Sequence, residues 1–522
     1  MVGSGAPDLD GQVKVGQLLV TAAALSTRGV SRRTLLLGGA VLALPPPAKA
    51  TFDSLARNGG AASSSPYVAA GSNGRYFVKN GSPWLMLADS AQTLVNIYGS
   101  DVTNYLSTRA SQGFNAIQFD LVATSYVRAT YPYGATSASG AVYAFSDHGA
   151  ITSGYATNPA YWALMDSYVG AINALGMTAI LNPYEGNVGA TDLVKAGNAA
   201  CYSYGRFLGN RYKNADVIWH LGNDLQVTSR AIFQSFQNLA KGILAADPNH
   251  LMTIELFDTP RGGSGFSTSF DNEGGYGSFG SVFGSKGING SYTYGPTYGY
   301  TGVAYNGSGT SFRGVAGTNL TSPCPVILLE ANYVGENLIG DGASAITYRK
   351  QPWWLILAGG LGGYIFGTAW TWNFPLGWQS HMTDGVADVQ TWLAFLKTIN
   401  WWTLQPDFGR ALATTGSTGW NRASLVGTGR AYNWDAYISQ AADSLTGGAH
   451  LSVAYFSQGS AQSLTVRMNQ FAGPVTAKWV DPISGSSSTI SGSPFTNSGT
   501  HSFSPSGNNH AGDPDWALQF TA

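Results

Sequence analysis

Charge is what this sequence has least of. Asp, Glu, Lys and Arg make up 11% of 522 residues and cancel to a net −1, against roughly 25% charged in an ordinary soluble domain. That balance offers neither the phosphates of a nucleic acid nor an anionic membrane a partner. The two cysteines, Cys201 and Cys324, lie far apart without metal or redox spacing, which excludes a cysteine-based centre. Whether they pair or stay thiols is open. Apolar runs of spanning length are absent: Leu35–Leu44 is about ten residues, too short for a ~30 Å hydrocarbon core. Also missing are a G-x-S-x-G elbow, a Walker loop, H-E-x-x-H and paired C-x-x-C, so the commonest hydrolase, nucleotide and zinc signatures are excluded. No metal and no organic cofactor is implied.

What is abundant is Gly (68), Tyr (27) and Trp (15). A neutral, aromatic-rich surface suits neutral ligands such as glycans, although exported bacterial proteins are often poor in Lys and Glu for other reasons. The first fifty residues point to export. Ser31-Arg32-Arg33-Thr34-Leu35-Leu36 leads into the apolar run, followed by Pro45-Pro46-Pro47 and Ala48-Lys49-Ala50. That is a positive region, a short apolar core and an A-x-A cleavage site, and the paired arginines resemble a twin-arginine signal. A mature protein beginning near Thr51 is expected, periplasmic or extracellular, with residues 1–30 as an upstream extension.

From about residue 66 to 404 short apolar runs alternate with amphipathic helical stretches, the pattern of a parallel sheet with crossover helices. Strands are expected at Trp84–Asp89, Ala116–Leu121, Thr178–Tyr184, Val217–Leu221, Leu251–Phe257, Pro325–Ala331 and Gly363–Thr368. Helices are expected at Asp101–Gln112, Tyr161–Leu175, Ala199–Tyr212, Arg230–Ala246, Ala345–Leu361 and Val386–Ile399. Residues 260–322 are rich in Gly, Ser and Tyr, and a sixth strand near Ser291–Thr297 is the weakest assignment. This reads as a (β/α)₈ barrel. Over 405–522 the pattern changes to short β runs between turn residues, a small all-β sandwich.

In such a barrel chemistry sits at the C-terminal ends of the strands. Val217-Ile218-Trp219-His220-Leu221-Gly222-Asn223-Asp224 ends in an amide and a carboxylate, and Pro325-Val326-Ile327-Leu328-Leu329-Glu330 delivers a glutamate from an apolar strand. A carboxylate there must be paired or poised, and glycoside hydrolysis needs two. Strands four and seven face each other across the mouth, so Asp224 and Glu330 are the candidate catalytic pair, with caps or ion pairs as the alternative. Asp89, Asp120, Asn182 and Glu185, ending strands one to three, are candidates for binding sugar hydroxyls; helix capping is the competing role for the acids. In a regular strand His220, Gly222 and Asp224 share a face, which would turn the imidazole to the site. A buried core histidine competes with that. Glu255, near the end of strand five, is a rival carboxylate. Tyr333 follows Glu330, and Trp370, Trp372 and Trp378 could floor a sugar site by stacking; Trp353, Trp354, Trp401 and Trp402 belong with the core.

Arg75-Tyr76-Phe77-Val78-Lys79-Asn80-Gly81-Ser82-Pro83-Trp84 running into Leu87-Ala88-Asp89-Ser90 resembles the opening of the apiosidase-like barrel family, where an F-x-x-x-G-x-P hairpin precedes a strand ending in Gly-Asp-Thr. Trp219 to Asp224 resembles its acid/base motif and Pro325 to Tyr333 its nucleophile motif. Trp479-Val480-Asp481-Pro482-Ile483-Ser484-Gly485, with Asp515-Trp516-Ala517-Leu518, resembles the following β-sandwich, a module once labelled collagen-binding. The resemblance runs from about Pro66 to the end. It implies a retaining glycosidase with Asp224 as acid/base and Glu330 as nucleophile, acting on a plant or microbial polysaccharide or its oligosaccharides. The family usually has Gly-Gly-Asp where this chain has Gly222-Asn223-Asp224. In related barrel glycosidases an Asn there binds the sugar 2-hydroxyl, which gives Asn223 that role. A non-catalytic glycan-binding protein on the same scaffold is the alternative from another class.

Overall fold

In the computed structural model eight short parallel strands carry the barrel: β1 (Met86–Ser90), β2 (Ala116–Asp120), β3 (Thr178–Asn182), β4 (Val217–Leu225), β5 (Met252–Leu256), β6 (Asn289–Thr293), β7 (Val326–Glu330) and β8 (Gly363–Phe366). The residues described are 67–123, 159–186, 189–257, 266–268, 276–293, 324–336, 345–407, 410–415, 438–457 and 462–522. The expected leader, and residues 260–322 apart from 266–268 and 276–293, lie outside them. β1 to β5 pair in chain order, and β8, β7 and β6 continue from the other edge of β1. The ring closes where the Ile288 N–H donates to the Met252 carbonyl at 2.8 Å.

Two-residue periodicity explains why these runs are strands buried on both faces. Met86, Ala88, Ala116, Ile180, Ile218, Ile327, Leu329 and Ile365 fill the interior. Their alternate neighbours Ile117, Phe119, Ala179, Leu181, Val217 and Trp219 pack outward on the helices. The hairpin Phe77–Lys79/Ser82–Trp84 inserts Phe77 into the interior cluster. Its turn is Asn80-Gly81, both with positive φ (51° and 76°), the tight pair that two-residue hairpins favour.

The helices are α1 (Ser100–Ser111), α2 (Pro159–Ala174), α3 (Ala190–Ala196), α4 (Asn198–Tyr212), α5 (Arg230–Ala246), α6 (Ala345–Leu357) and α7 (Val386–Leu396). α5 starts where Ser229 caps the Ile232 N–H, and Asp247-Pro248 follows its end. Three expectations are corrected. α6 ends four residues early, because Gly359 and Gly360 follow and Gly359 adopts φ 96°. The sixth strand begins at Asn289, two residues before the expected Ser291. α3 was not expected at all. Neither cysteine is in a disulfide, and Cys201 donates to the Leu193 carbonyl. No helix among the described residues is long and apolar enough to cross a membrane.

The C-terminal region folds as two antiparallel sheets. One contains Gln405–Pro406, Ile438–Ala442, Leu451–Phe456, Trp516–Thr521, Thr476–Val480 and Ser487–Thr489; the other Ala413–Thr415, Leu464–Arg467 and Thr500–Phe503. Val466, Phe471, Phe503 and Phe520 are among the residues filling the core between them. The sandwich docks on α6, where Trp353 stacks on Tyr455 (centroids 5.5 Å, planes 8° apart).

Candidate active site

The alternation that builds the barrel breaks at two places. On β4, Leu221 pairs with Ile254 and Leu225 with Leu256, so Gly222, Asn223 and Asp224 all stand opposite Glu255. Accommodating two extra residues needs a sharp turn, and Gly222 and Asp224 take left-handed φ of 65° and 49°. Glycine tolerates that region freely, and aspartate better than most side chains. Gly186 packs on this bulge so closely that a Cβ would lie 2.8 Å from the Asn223 carbonyl oxygen and 2.9 Å from Gly222 Cα. On β7 the register to β6 shifts so that Tyr292 pairs with Glu330, not Leu329. Leu328 faces the helices and Leu329 the interior, so strict alternation would send Glu330 outward. The bulge re-aims it, as bulges beside active sites do.

The result is a carboxylate cluster. One oxygen each from Asp224, Glu255 and Glu330 lies within 4.8 Å of the others. Glu330 is nearly buried (3% exposed) and Glu255 completely so, whereas Asp224 is half-buried. Glu255 Oε1 accepts the Asp224 backbone N–H at 3.0 Å, and its Oε2 lies 3.5 Å from His220 Nε2. By proximity alone the three could share a cation.

Beneath the acids runs a directed chain of hydrogen bonds. Asp120 Oδ1 accepts from Asn182 Nδ2 (2.9 Å) and Asn223 Nδ2 (2.8 Å). That fixes the Asn223 amide, whose oxygen then accepts from Gln118 Nε2 at 3.2 Å. The same Gln118 nitrogen meets His220 Nδ1 at 3.3 Å, so Nδ1 is the acceptor and the imidazole proton sits on Nε2, toward Glu255. Asn182 Oδ1 accepts the Gly222 N–H at 2.9 Å, tying β3 to the turn. Burial, with the neighbouring Glu185 charge, pushes the Asp120 carboxyl well above the usual carboxylate range.

On the opposite wall Gln92 Nε2 donates to Glu330 Oε2 and to the Tyr333 hydroxyl, both at 3.3 Å. The Tyr333 hydroxyl donates to Ser90 Oγ at 2.9 Å. Burial, then the charges of Glu330 and Glu255, push that phenol well above its ordinary value, so it stays a neutral donor. Thr93 donates to the Trp372 carbonyl, which brings the β1 and β8 loops together. Glu336 receives a hydrogen bond from Trp372, and burial raises its carboxyl to about 7. Trp370 stacks flat on His381 (3.7 Å, 8°), so one face of its ring is occupied. Trp378 is core, edge-on to Tyr105 and Phe374.

The structure brings together Asp224, Glu330, Asn223, His220, Asn182, Asp120 and Tyr333. It places Asp89 elsewhere. That carboxylate is fully buried, bound by Arg109 Nε at 2.6 Å and the Tyr105 hydroxyl at 2.5 Å. Neither sugar contact nor helix capping is its role; it is half of a buried ion pair between β1 and α1. Asp120 and His220 are also buried; Asp120 accepts from Asn223, and His220 Nε2 lies 3.5 Å from Glu255. Glu185 lies 7% exposed beside Asp120. Gln92 and Glu336 were not foreseen. Each follows its strand's last residue by two to six positions, where loop polarity is ordinary and carries no sequence signal.

The model of the "Apiosidase-like, catalytic domain" family matches residues 71–403. No curated protein matches the sequence. Among solved structures, a glycoside hydrolase is 17% identical with TM-score 0.62, over 87% of this chain and 96% of its own. A glycoside hydrolase family 5 protein of Bacteroides vulgatus ATCC 8482 has the same identity and TM-score, over 87% and 93% of the two chains. These likenesses establish the shared fold; the family match, spanning well over half the sequence, goes further. The chain belongs to the apiosidase-like catalytic-domain family and is a glycoside hydrolase.

Proposed function

We propose that the protein is an exported, retaining glycosidase that cleaves a plant or microbial polysaccharide, with Glu330 as nucleophile and Asp224 as acid/base. One observation carries the reading: the nearest Asp224 and Glu330 oxygens lie within 4.8 Å. Retaining enzymes need about 5–5.5 Å between the carboxyls, inverting ones roughly 6.5–9.5 Å to admit a water. Gln92 orients Glu330 by donating to its Oε2, and the carboxylate attacks the anomeric carbon. Half-buried Asp224 protonates the leaving oxygen as Glu330 attacks, then takes a proton from the water that releases the sugar. Asn223 has a second amide hydrogen for the sugar 2-hydroxyl, and Trp370 and Trp372, just past β8, supply apolar surface for the ring. The leader motif Arg32-Arg33 with Ala48-Lys49-Ala50 supports export by the twin-arginine route.

The test separates the two roles. Glu330→Gln should abolish hydrolysis of every glycoside, including aryl glycosides whose leaving groups need no proton. Asp224→Asn should keep the first step on those substrates, stall in the second, and regain turnover with azide, giving a glycosyl azide of unchanged anomeric configuration. Azide rescue of the Glu330 variant to a retained product, with the Asp224 variant inert throughout, would reverse the assignment.

A further inference from the structure

Glu255 is used neither as acid nor as nucleophile, yet it is the third member of the cluster. It cannot touch substrate: its side chain is fully buried, while Asp224 is half-buried. It stands alone opposite the three bulged residues Gly222, Asn223 and Asp224. Asp224 itself holds a left-handed φ of 49°, a conformation that costs a non-glycine residue energy unless its surroundings impose it. The Asp224 N–H is bonded to Glu255 Oε1 at 3.0 Å. His220 Nε2 lies 3.5 Å from the other oxygen, Oε2, and Gln118 contacts both that imidazole and the Asn223 amide.

We infer that Glu255 is the positioning residue of the acid/base: its carboxylate pins the left-handed turn and so sets where the Asp224 carboxyl stands. The inference rests on the reading of Asp224 as acid/base. A donor and a buried carboxylate make a strong, charge-assisted bond, and the β4–β5 ladder is interrupted there; the Asn182 bond to the Gly222 N–H holds the start of the turn, and the Glu255 bond holds Asp224 itself. Displacing a catalytic group by about 1 Å can cost roughly 10²-fold. The loss would fall on proton transfer alone.

Glu255→Ala, Glu255→Gln and Asp224→Asn are compared with wild type on paired phenyl and 2,4-dinitrophenyl glycosides. The sugar is whichever of glucose, mannose, galactose, xylose, arabinose and apiose the wild type hydrolyses fastest. For Glu255→Ala, kcat/KM should fall about 10²-fold on the phenyl glycoside but less than about tenfold on the dinitrophenyl one, which needs no acid. Glu255→Gln keeps an acceptor for the Asp224 N–H and should stay within about tenfold of wild type on both. Equal losses on the two leaving groups, or a Gln variant as impaired as the Ala variant, would overturn the inference. If Asp224→Asn shows no leaving-group dependence, the acid/base reading itself fails. Crystal structures of the two Glu255 variants judge the positioning separately. Asp224 should leave the left-handed region in the Ala variant and keep it in the Gln variant; an unchanged turn in Glu255→Ala refutes the role.

Discussion

Arg349→Met should loosen the sandwich from the barrel, and the structure says by how much. Arg349 lies on α6 and is 1% exposed. Its Nε and Nη2 grip the two oxygens of Asp515 at 2.8 Å each, and Nη2 also reaches Asp513 at 2.6 Å. Burial alone would depress the guanidinium, but the hydrogen bonds and charge of Asp515 more than offset it and hold its pKa above the ordinary value. Methionine fills similar space and removes the cation. Asp515 is fully buried and would keep the Tyr455 hydroxyl and the Asn509 amide as donors, with its charge uncompensated. Stranding a buried carboxylate in this way costs about 3–5 kcal/mol. Unfolding entropy of about 2.1 cal/mol/K per residue converts this in two ways. If barrel and sandwich, Asn58–Ala522, melt as one, the midpoint falls about 3–5 °C. If the sandwich melts by itself, the same energy lowers its own transition by roughly 15 °C, and calorimetry shows two peaks. Adding Asp515→Asn removes the stranded charge and should recover most of the loss. A single variant melting within about 1 °C of wild type would refute the reasoning.

Two further outcomes are expected. Glu336 ordinarily titrates at 4.5, and burial raises it to about 7; the folded state therefore binds its proton more tightly than the unfolded state. Its contribution is fully present below about 4.5 and is lost as pH rises through about 7. The melting temperature of Glu336→Gln relative to wild type should therefore climb between pH 4.5 and 7.5, and a flat difference would sink the assignment. Replacing Arg32 and Arg33 by lysine should leave uncleaved precursor in the cytoplasm of an expressing bacterium; unchanged export, scored by fractionation and blotting, would rule out the twin-arginine route.

Most of the barrel was legible because its signal is local and repeated. An apolar run such as Val326-Ile327-Leu328-Leu329 has nowhere to go except between interior and helices. β6 was hard to read because its only large residue is Tyr292, in Asn289-Gly290-Ser291-Tyr292-Thr293. Its middle is small for a tertiary reason: a Cβ at Gly290 would lie 2.2 Å from Leu329 Cδ1. Asp89 misled for a related reason. A carboxylate ending a barrel strand reads as chemistry, and only the fold shows Arg109, a helix away, turned back to meet it. Glu255 was visible as a rival carboxylate near the end of strand five, but its partner is a backbone N–H in a bulge that no periodicity announces.

Those bulges decide more than the placement of single residues. A regular strand would carry β4 straight past the mouth, and aspartate is shorter than glutamate by one methylene, about 1.5 Å of reach. The two extra residues between Leu221 and Leu225 bring the Asp224 backbone forward. The extra residue at Leu329 turns Glu330 in from the helix side. The separations that distinguish retention from inversion differ by only about 1–4 Å, the scale of a strand irregularity, and far below the width of a barrel. The eight strands therefore bring two carboxylates to the same mouth, but their spacing, and with it the stereochemistry we propose, depends on two local departures from regular sheet. Gly222 and Gly186 make the first of these possible, and Glu255 holds it.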